Sequence, residues 1–288
     1  MGILSFSDLH LSAIAIHRGE EPIIGGENGV CNLFFSGCNL QCIYCQNFQI
    51  SRRCVRNAVM SASDAISKIT AILETGVNTV GFVSPSHHVS ETKFLIQAIH
   101  QRGFNPRIVY NTNGFDSVKT IQSLEGLVDV YLPDFKYGSN DLAFALSGVK
   151  NYVEVALRAI KQMYFHKGNT VMLDDEDTAI SGLVIRHLVL PGMVDNSIKV
   201  LELIAEELSP NVSISLMSQY NPIPEMTRHP LLSRTITEDE YQQVVDAFYR
   251  LGFSKGWLQQ LDSNNCFNPD FSQTDPFREE FLNRGLDI

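Results

Sequence analysis

Apolar residues along the chain fall into two kinds of segment that take turns. Short runs rich in β-branched and aromatic residues occupy residues 32–36, 78–83, 107–111, 128–132, 183–190 and 212–217, and their length and flanking turn formers predict six buried strands. Between them apolar positions recur every three or four residues. Over residues 61–75, Ser61 stands three positions before Asp64 as a start signal, Ile66, Ile69 and Leu73 form a stripe, and Gly76 is placed to stop the helix. Ile198, Leu201, Ala205 and Leu208 define a second helix face ahead of Pro210. Thr237 and Glu240 have capping-box spacing and open a third, with Tyr241, Val244, Val245 and Phe248 on one side and Gly252 at its end.

Strand, helix, strand order with crossovers of this length predicts an α/β fold with a mainly parallel sheet and all strand C-termini on one edge. Polar residues follow the predicted strands repeatedly: Cys38, then residues 84–88, 112–114, 133–136 and 218–221. No G-x-G-x-x-G follows a strand, which removes the dinucleotide-binding reading and favours a partial (β/α)6 barrel of the TIM type. The pattern predicts one domain over residues 1–288, with a core at about 30–253 and irregular extensions at 1–29 and 254–288. The latter, with Pro269 and Pro276, reads as chain packed over the barrel. Residues 167–181, carrying Asp174, Asp175, Glu176 and Asp177, read as a solvated hairpin or loop.

Composition narrows the function classes. With 44% apolar residues among 288 the chain can bury a core, so disorder is excluded. Lysine and arginine number 22 against 32 acidic residues, a net charge of −10 that repels phosphate backbones and argues against nucleic acid as a partner. The small basic cluster Arg52, Arg53 and Arg56 reads as a solvated loop edge. No apolar run approaches the roughly 18 residues that cross a bilayer, and Asp8 and His10 stand where a secretion signal carries basic residues. A cytoplasmic protein without membrane contact is expected.

Six cysteines are too sparse for a disulfide framework, yet Cys38, Cys42 and Cys45 crowd into one loop after the first predicted strand. Three thiolates leave one iron of a four-iron cluster without a protein ligand, and an open coordination position marks a reactive site. Zinc held by the same thiolates with His87 or His88 is the competing reading, as a non-catalytic binding protein, although Cys42 and Cys45 make only one of the two knuckles usual in zinc ribbons. Cys31, Cys54 and Cys266 are too dispersed for a second cluster, so one is expected.

The segment from Ser36 to Asn47, with its Cys-x3-Cys-x2-Cys spacing and the aromatic Tyr44 before the last cysteine, resembles the cluster loop of the radical S-adenosylmethionine superfamily. Further segments resemble the branch similar to pyruvate formate-lyase activating enzyme: Gly19-Glu20-Glu21-Pro22, Tyr110-Asn111-Thr112-Asn113-Gly114, the stretch from Tyr131 to Tyr137, that from Arg186 to Gly192, and Leu216-Met217-Ser218-Gln219-Tyr220. The resemblance spans nearly the whole chain. It implies one 4Fe-4S cluster on Cys38, Cys42 and Cys45, whose open iron chelates the amino and carboxylate groups of S-adenosylmethionine, and reductive cleavage to a 5′-deoxyadenosyl radical that abstracts hydrogen. The substrate implied is the glycine of a glycyl radical enzyme, with a small molecule, a peptide or another protein residue as the alternative, and the electron donor a flavodoxin or ferredoxin.

By the same resemblance, Tyr44 and Asn47 flank the adenine, and Asp134 and Lys136 hold the methionine carboxylate and ribose region. Asn113 belongs to the cofactor-binding set. Where activating enzymes carry a Gly-Gly-Glu contact to the methionine amine, this chain reads Ser84-Pro85-Ser86-His87, and the hydroxyls of Ser84 or Ser86 are the available acceptors. Asn111 replaces an aspartate that helps bind a monovalent cation there, while Thr112 matches. Arg186 and His187 are adjacent in a strand and so point to opposite faces; one of them looks into the barrel and is a substrate or cofactor candidate. Gln219 and Tyr220 are weaker candidates, with turn structure before Asn221-Pro222 as the plainer reading.

Overall fold

The computed structural model describes residues 5–19, 21–52, 59–261, 269–273 and 275–277. Its main sheet runs, in chain order, β1 (Leu11–His17), β2 (Val30–Phe35), β3 (Thr79–Val83), β4 (Arg107–Thr112), β5 (Val130–Pro133), β6 (Ala179–Leu188), β7 (Ser213–Met217) and β8 (Gly256–Leu258). Each strand neighbours the next in sequence. Strands β2 to β8 are parallel and β1 pairs antiparallel with β2. The six predicted strands are β2 to β7, each within a few residues of its expected ends.

Among the described residues seven helices longer than a single turn follow the strands: α1 (Ala62–Leu73), α2 (Val89–Gln101), α3 (Val118–Gln122), α4 (Asn140–Ser147), α5 (Tyr152–Lys167), α6 (Val194–Glu207) and α7 (Glu238–Arg250). The Ser61 side chain accepts from the Asp64 amide, and Thr237 and Glu240 form the reciprocal capping box, so both start signals work as read. Gly76 and Gly252 follow their helices at φ 99° and 86°, a region that costs other residues strain.

Two expectations about the termini need correction. Neither extension is irregular throughout: the first contains β1 and the second contains β8. The run from Leu11 to His17, with Ser12 and Ala13 among its apolar residues, carries little alternation of its own, and β8 is only three residues long. Pairing with an already formed edge, not local pattern, makes both into strands. The described part of the tail does pack over the sheet: Phe271 and Phe277 lie 5.1 and 5.6 Å from the Phe34 ring. Cys54 and Cys266, with Arg53 and Arg56, lie outside the described residues. In the acidic stretch, Met172–Leu173 pairs antiparallel with β6, making the expected hairpin, and Asp174 closes its turn by accepting from the amides of Glu176 and Thr178.

Parallel register sorts the side chains into two layers. Cys31, Leu33 and Phe35, Val80 and Phe82, Ile108 and Tyr110, Tyr131, Leu183 and Ile185, and Ile214 and Leu216 share one core with the helices. Each such Leu, Ile or Phe contributes on the order of 2 kcal/mol by leaving water. Alternate residues face the concave side, where Val30, Val109, Val130, Leu132 and Val184 join Ile24 in a second, smaller cluster. Gly81 permits this side to carry polar groups, since a Cβ there would meet Asn32 Oδ1 at 2.1 Å.

Candidate functional site

Strand β2 ends at Phe35, and the chain turns through Gly37, at φ 77°, into the cysteine loop. Main-chain bonds pin that loop to its surroundings: Gly37 N donates to Ile50 O (2.8 Å), Ile43 N to Leu146 O (2.9 Å) and Gln41 N to Ser147 O (3.2 Å). The end of α4 is therefore its platform. Every cysteine sulfur accepts a hydrogen bond: Cys38 from Asn113 Nδ2 (3.3 Å) and Leu40 N (3.4 Å), Cys42 from Ser147 Oγ (2.9 Å), Cys45 from Ser51 Oγ (3.3 Å). Donors aimed at sulfur favour thiolates. Burial pushes the Cys38 thiol up to about 12 and raises Cys45 as well, where the Lys136 ammonium offsets it only in part, so a further positive group is needed to hold both as anions.

The spread of the sulfurs discriminates between metals. Among the described residues one trio of metal-ligating side chains has all its ligand atoms within 4.8 Å of one another, and that trio is His10, His88 and Glu91. At least one pair of the three sulfurs therefore lies more than 4.8 Å apart, whereas S–Zn bonds near 2.3 Å would put sulfurs about 3.8 Å from each other. Three thiolates on three separate irons suit the wider spacing. His87 and His88 do not complete a zinc site either: their Nε2 atoms lie 3.0 and 3.3 Å from Ser36 O. The donor set fits a four-iron cluster.

On the concave side beside this loop lies a charged group. The chain leaves β5 as Asp134, Phe135 and Lys136; the first and third share the concave face, and Lys136 Nζ meets Asp134 Oδ2 at 2.5 Å. Burial opposes the Lys136 charge, but Asp134 and the thiols of Cys42 and Cys45 outweigh it and raise its pKa. Arg186 of β6 faces inward and is buried, with Nε 3.1 Å from Asp134 Oδ1 and Nη1 3.3 Å from Glu21 Oε1. Glu21 also accepts from Ser215 Oγ (3.3 Å). A buried guanidinium needs such partners. A cavity lined by Glu21, Asn32, Val109, Asn111 and Leu132 extends from this group.

His187 takes the other face. It is fully buried under α6 between Phe135 O (2.7 Å) and Ser197 Oγ (2.8 Å), and burial drives its pKa down to about 4. Of the adjacent pair, Arg186 is the one that looks into the barrel.

The other expected site residues divide. Asn113 joins the cysteine loop, donating to Asn39 Oδ1 (2.6 Å) as well as to Cys38. Asn47 sits in the loop, its carbonyl accepting from Ile50 and Ser51. Tyr44 packs into the main core, with its hydroxyl 2.8 Å from that of Tyr137, so its ring is not free to lie on a ligand. Ser86 Oγ is engaged by Thr112 Oγ1 (2.9 Å) and donates to the buried Asp116 (3.2 Å). Thr112 turns to Asp116 on the helix side, whereas Asn111 lines the cavity. Ser84 adopts a left-handed conformation, φ 54° and ψ 47°, which glycine takes most easily. Gln219 is buried with its side chain accepting from Gln259 (2.7 Å), and Tyr220 donates to Leu232 O (2.7 Å); turn structure is the better description of the latter.

Two contributors escaped the sequence reading. Glu21 lay within a recognised segment but had no role until Arg186 was seen against it. Tyr152, at the start of α5, has one hydroxyl that bonds Asn113 O (2.9 Å), Asp134 O (3.1 Å) and the amide of Lys136 (3.0 Å). It ties the turn after β4 to the turn after β5, and no local pattern marks such a residue.

The family model for the radical SAM superfamily matches residues 32–204. A protein of Methanocaldococcus jannaschii, described as uncharacterised, is 28% identical over 253 residues, 85% of this chain and 68% of that one. The hydrogenase maturase HydG of Carboxydothermus hydrogenoformans superposes with TM-score 0.53 at 16% identity, over 77% of this chain and 51% of its own. For TYW1, solved with a lysine-pyruvate adduct, the values are 0.51, 15%, 81% and 78%. For anSMEcpe with bound AdoMet they are 0.51, 13%, 75% and 57%. The chain thus spans about half the length of some of the structures it matches. Among the described residues no helix is long and apolar enough to cross a membrane.

Proposed function

The chain belongs to the radical S-adenosylmethionine superfamily, and we propose that Cys38, Cys42 and Cys45 hold its 4Fe-4S cluster while the group Asp134, Lys136 and Arg186 receives S-adenosylmethionine on the concave side. When bound, the cluster supplies the electron that splits S-adenosylmethionine into methionine and a 5′-deoxyadenosyl radical, which takes a hydrogen atom from the substrate. The chain's own residues orient and exclude water. Asn113, Ser147 and Ser51 donate to the sulfurs and steady their negative charge. Lys136 and Arg186 offer the positive charge that a methionine carboxylate needs, and Asp134 offers an acceptor for its ammonium or for a ribose hydroxyl. Asn47 lies in the loop where adenine would sit, and for Tyr44 only the main chain is available there.

The substrate we infer is the glycine of a partner protein's glycyl radical loop, with a flavodoxin or ferredoxin as electron donor and the cytoplasm as location. The support is the set of segments shared with activating enzymes, from Gly19 to Pro22, Tyr110 to Gly114 and Tyr131 to Tyr137. One domain over residues 1–288 goes with this reading, with β1 and β8 as its edges.

The observation that carries the proposal is three hydrogen-bonded thiols at the C-terminal edge of β2, adjoining an inward-facing charged group on β5 and β6. Anaerobic reconstitution, dithionite reduction and addition of S-adenosylmethionine should give 5′-deoxyadenosine with wild type and none with Cys42→Ala. A variant as active as wild type would overturn the cluster assignment. Co-incubation with a matching glycyl radical enzyme should give a glycyl signal by spin resonance; product-coupled 5′-deoxyadenosine without that signal would move the substrate to a small molecule or peptide.

A further inference from the structure

His10, just before β1, and His88 and Glu91, at the start of α2, meet beside Ser36. Their ligand atoms lie within 4.8 Å of one another. Both imidazoles bring Nδ1 to a single carboxylate oxygen, Glu91 Oε1, at 2.8 Å from His10 and 2.9 Å from His88. The rings stack with centroids 4.7 Å apart. Two segments distant in sequence therefore converge on one point.

The other ring nitrogen of His88 bears on what that point can hold. Its Nε2 faces Ser36 O at 3.3 Å, a position that requires an N–H, and a neutral imidazole then has only a lone pair left at Nδ1. A proton on Nδ1 fills the separation as it stands, and a metal ion bound to Nδ1 and Oε1 would take that proton's place. Ring nitrogens that ligate metals show this arrangement, with the second nitrogen donating to a backbone carbonyl. Glu91 is likewise oriented as ligating carboxylates are: its Oε2 accepts the His10 amide at 2.7 Å, leaving Oε1 for the cation. The carboxylate is buried and His88 half-buried, whereas the His10 side chain is 42% exposed, so water can complete a coordination sphere from that side.

We propose that His10, His88 and Glu91 form a second metal site, separate from the cysteine loop, for a divalent cation of the borderline class typified by zinc. Two imidazoles, a carboxylate and water are a donor set that zinc accepts, and the single negative charge balances half of a divalent ion. The ion would clamp the edge strand β1 and the start of α2 around Ser36, whose own amide donates to His10 O at 2.9 Å. Since Gly37 and Cys38 follow directly, this clamp braces the cysteine loop from behind.

The test uses the full chain, reconstituted with iron and sulfide, equilibrated with zinc sulfate and desalted, with zinc and iron measured together. Wild type should retain about one zinc per chain at this site beside about four irons. His10→Ala, a change at a half-exposed residue, should lose that zinc and keep the iron, and Glu91→Gln should do the same. Cobalt(II) in place of zinc should show weak d–d bands that His10→Ala abolishes, without the intense thiolate-to-cobalt band. Wild type that retains no zinc would leave a proton as the cation and overturn the site. Equal zinc in wild type and both variants, or a thiolate-to-cobalt band that accounts for all the bound metal, would overturn it as well. Iron content separates these outcomes from failure of the cluster assignment.

Discussion

Arg186 and His187 are neighbours on β6, and the sheet treats them in opposite ways. The first points to the concave side and finds Asp134, Glu21 and, through Asp134, Lys136. The second points under α6, where it is held neutral between Phe135 O and Ser197 Oγ. On the concave side polar groups meet charged partners and adjoin a cavity; on the helix side a polar group survives only if its bonds are closed and its charge suppressed. Chemistry therefore collects on one face of the sheet and cohesion on the other.

Breaking the concave network should have the largest effect on stability. Arg186→Ala leaves the buried Glu21 without its guanidinium and the half-buried Asp134 with Lys136 alone, an expected loss of roughly 3–5 kcal/mol in urea unfolding. Arg186→Leu tests whether shape rescues it; equal loss in both would mean that charge pairing, not packing, is what the site needs. On the helix side, His187 gives a pH dependence of definite sign. Its folded pKa of about 4 lies below the roughly 6.5 of a free imidazole, so the unfolded chain binds the proton first. Its contribution is complete above pH 6.5 and is lost as pH falls toward 4, about 3 kcal/mol in all. Unfolding free energies measured from pH 7 to 4 should decline less steeply in His187→Asn than in wild type. Tyr152→Phe bridges the two faces: it removes a buried hydroxyl with three partners and should cost about 1–3 kcal/mol, together with weaker S-adenosylmethionine binding by calorimetry. Smallest is Ser84→Gly, which relieves a left-handed serine and should change stability by no more than about 1 kcal/mol, with S-adenosylmethionine binding unchanged.

Much of this was legible in the sequence because it depends on short-range order. Strands β2 to β7 announced themselves by composition, and the caps at Ser61 and Thr237 by spacing of three residues. The three cysteines lie in one loop, so their proximity did not depend on the fold. The same holds for Asp134 and Lys136, two apart in an extended segment and hence on one side.

The tertiary structure decided what depends on contacts between distant segments. Edge strands β1 and β8 exist because a sheet edge was there to pair with. Alternation placed Arg186 and His187 on opposite faces but could not say which face was concave; helix packing settled that. Tyr44 and Ser86, expected by position as ligand contacts, also carry side-chain bonds to Tyr137 and Asp116 that no local pattern marks. Glu21 with Arg186, Tyr152 with the turns after β4 and β5, and His10 with His88 and Glu91 are pairings across 165, 16 to 39 and about 80 residues. Local sequence determines which groups are present and which way neighbours diverge, while long-range packing determines which of them meet and which are left to meet a ligand.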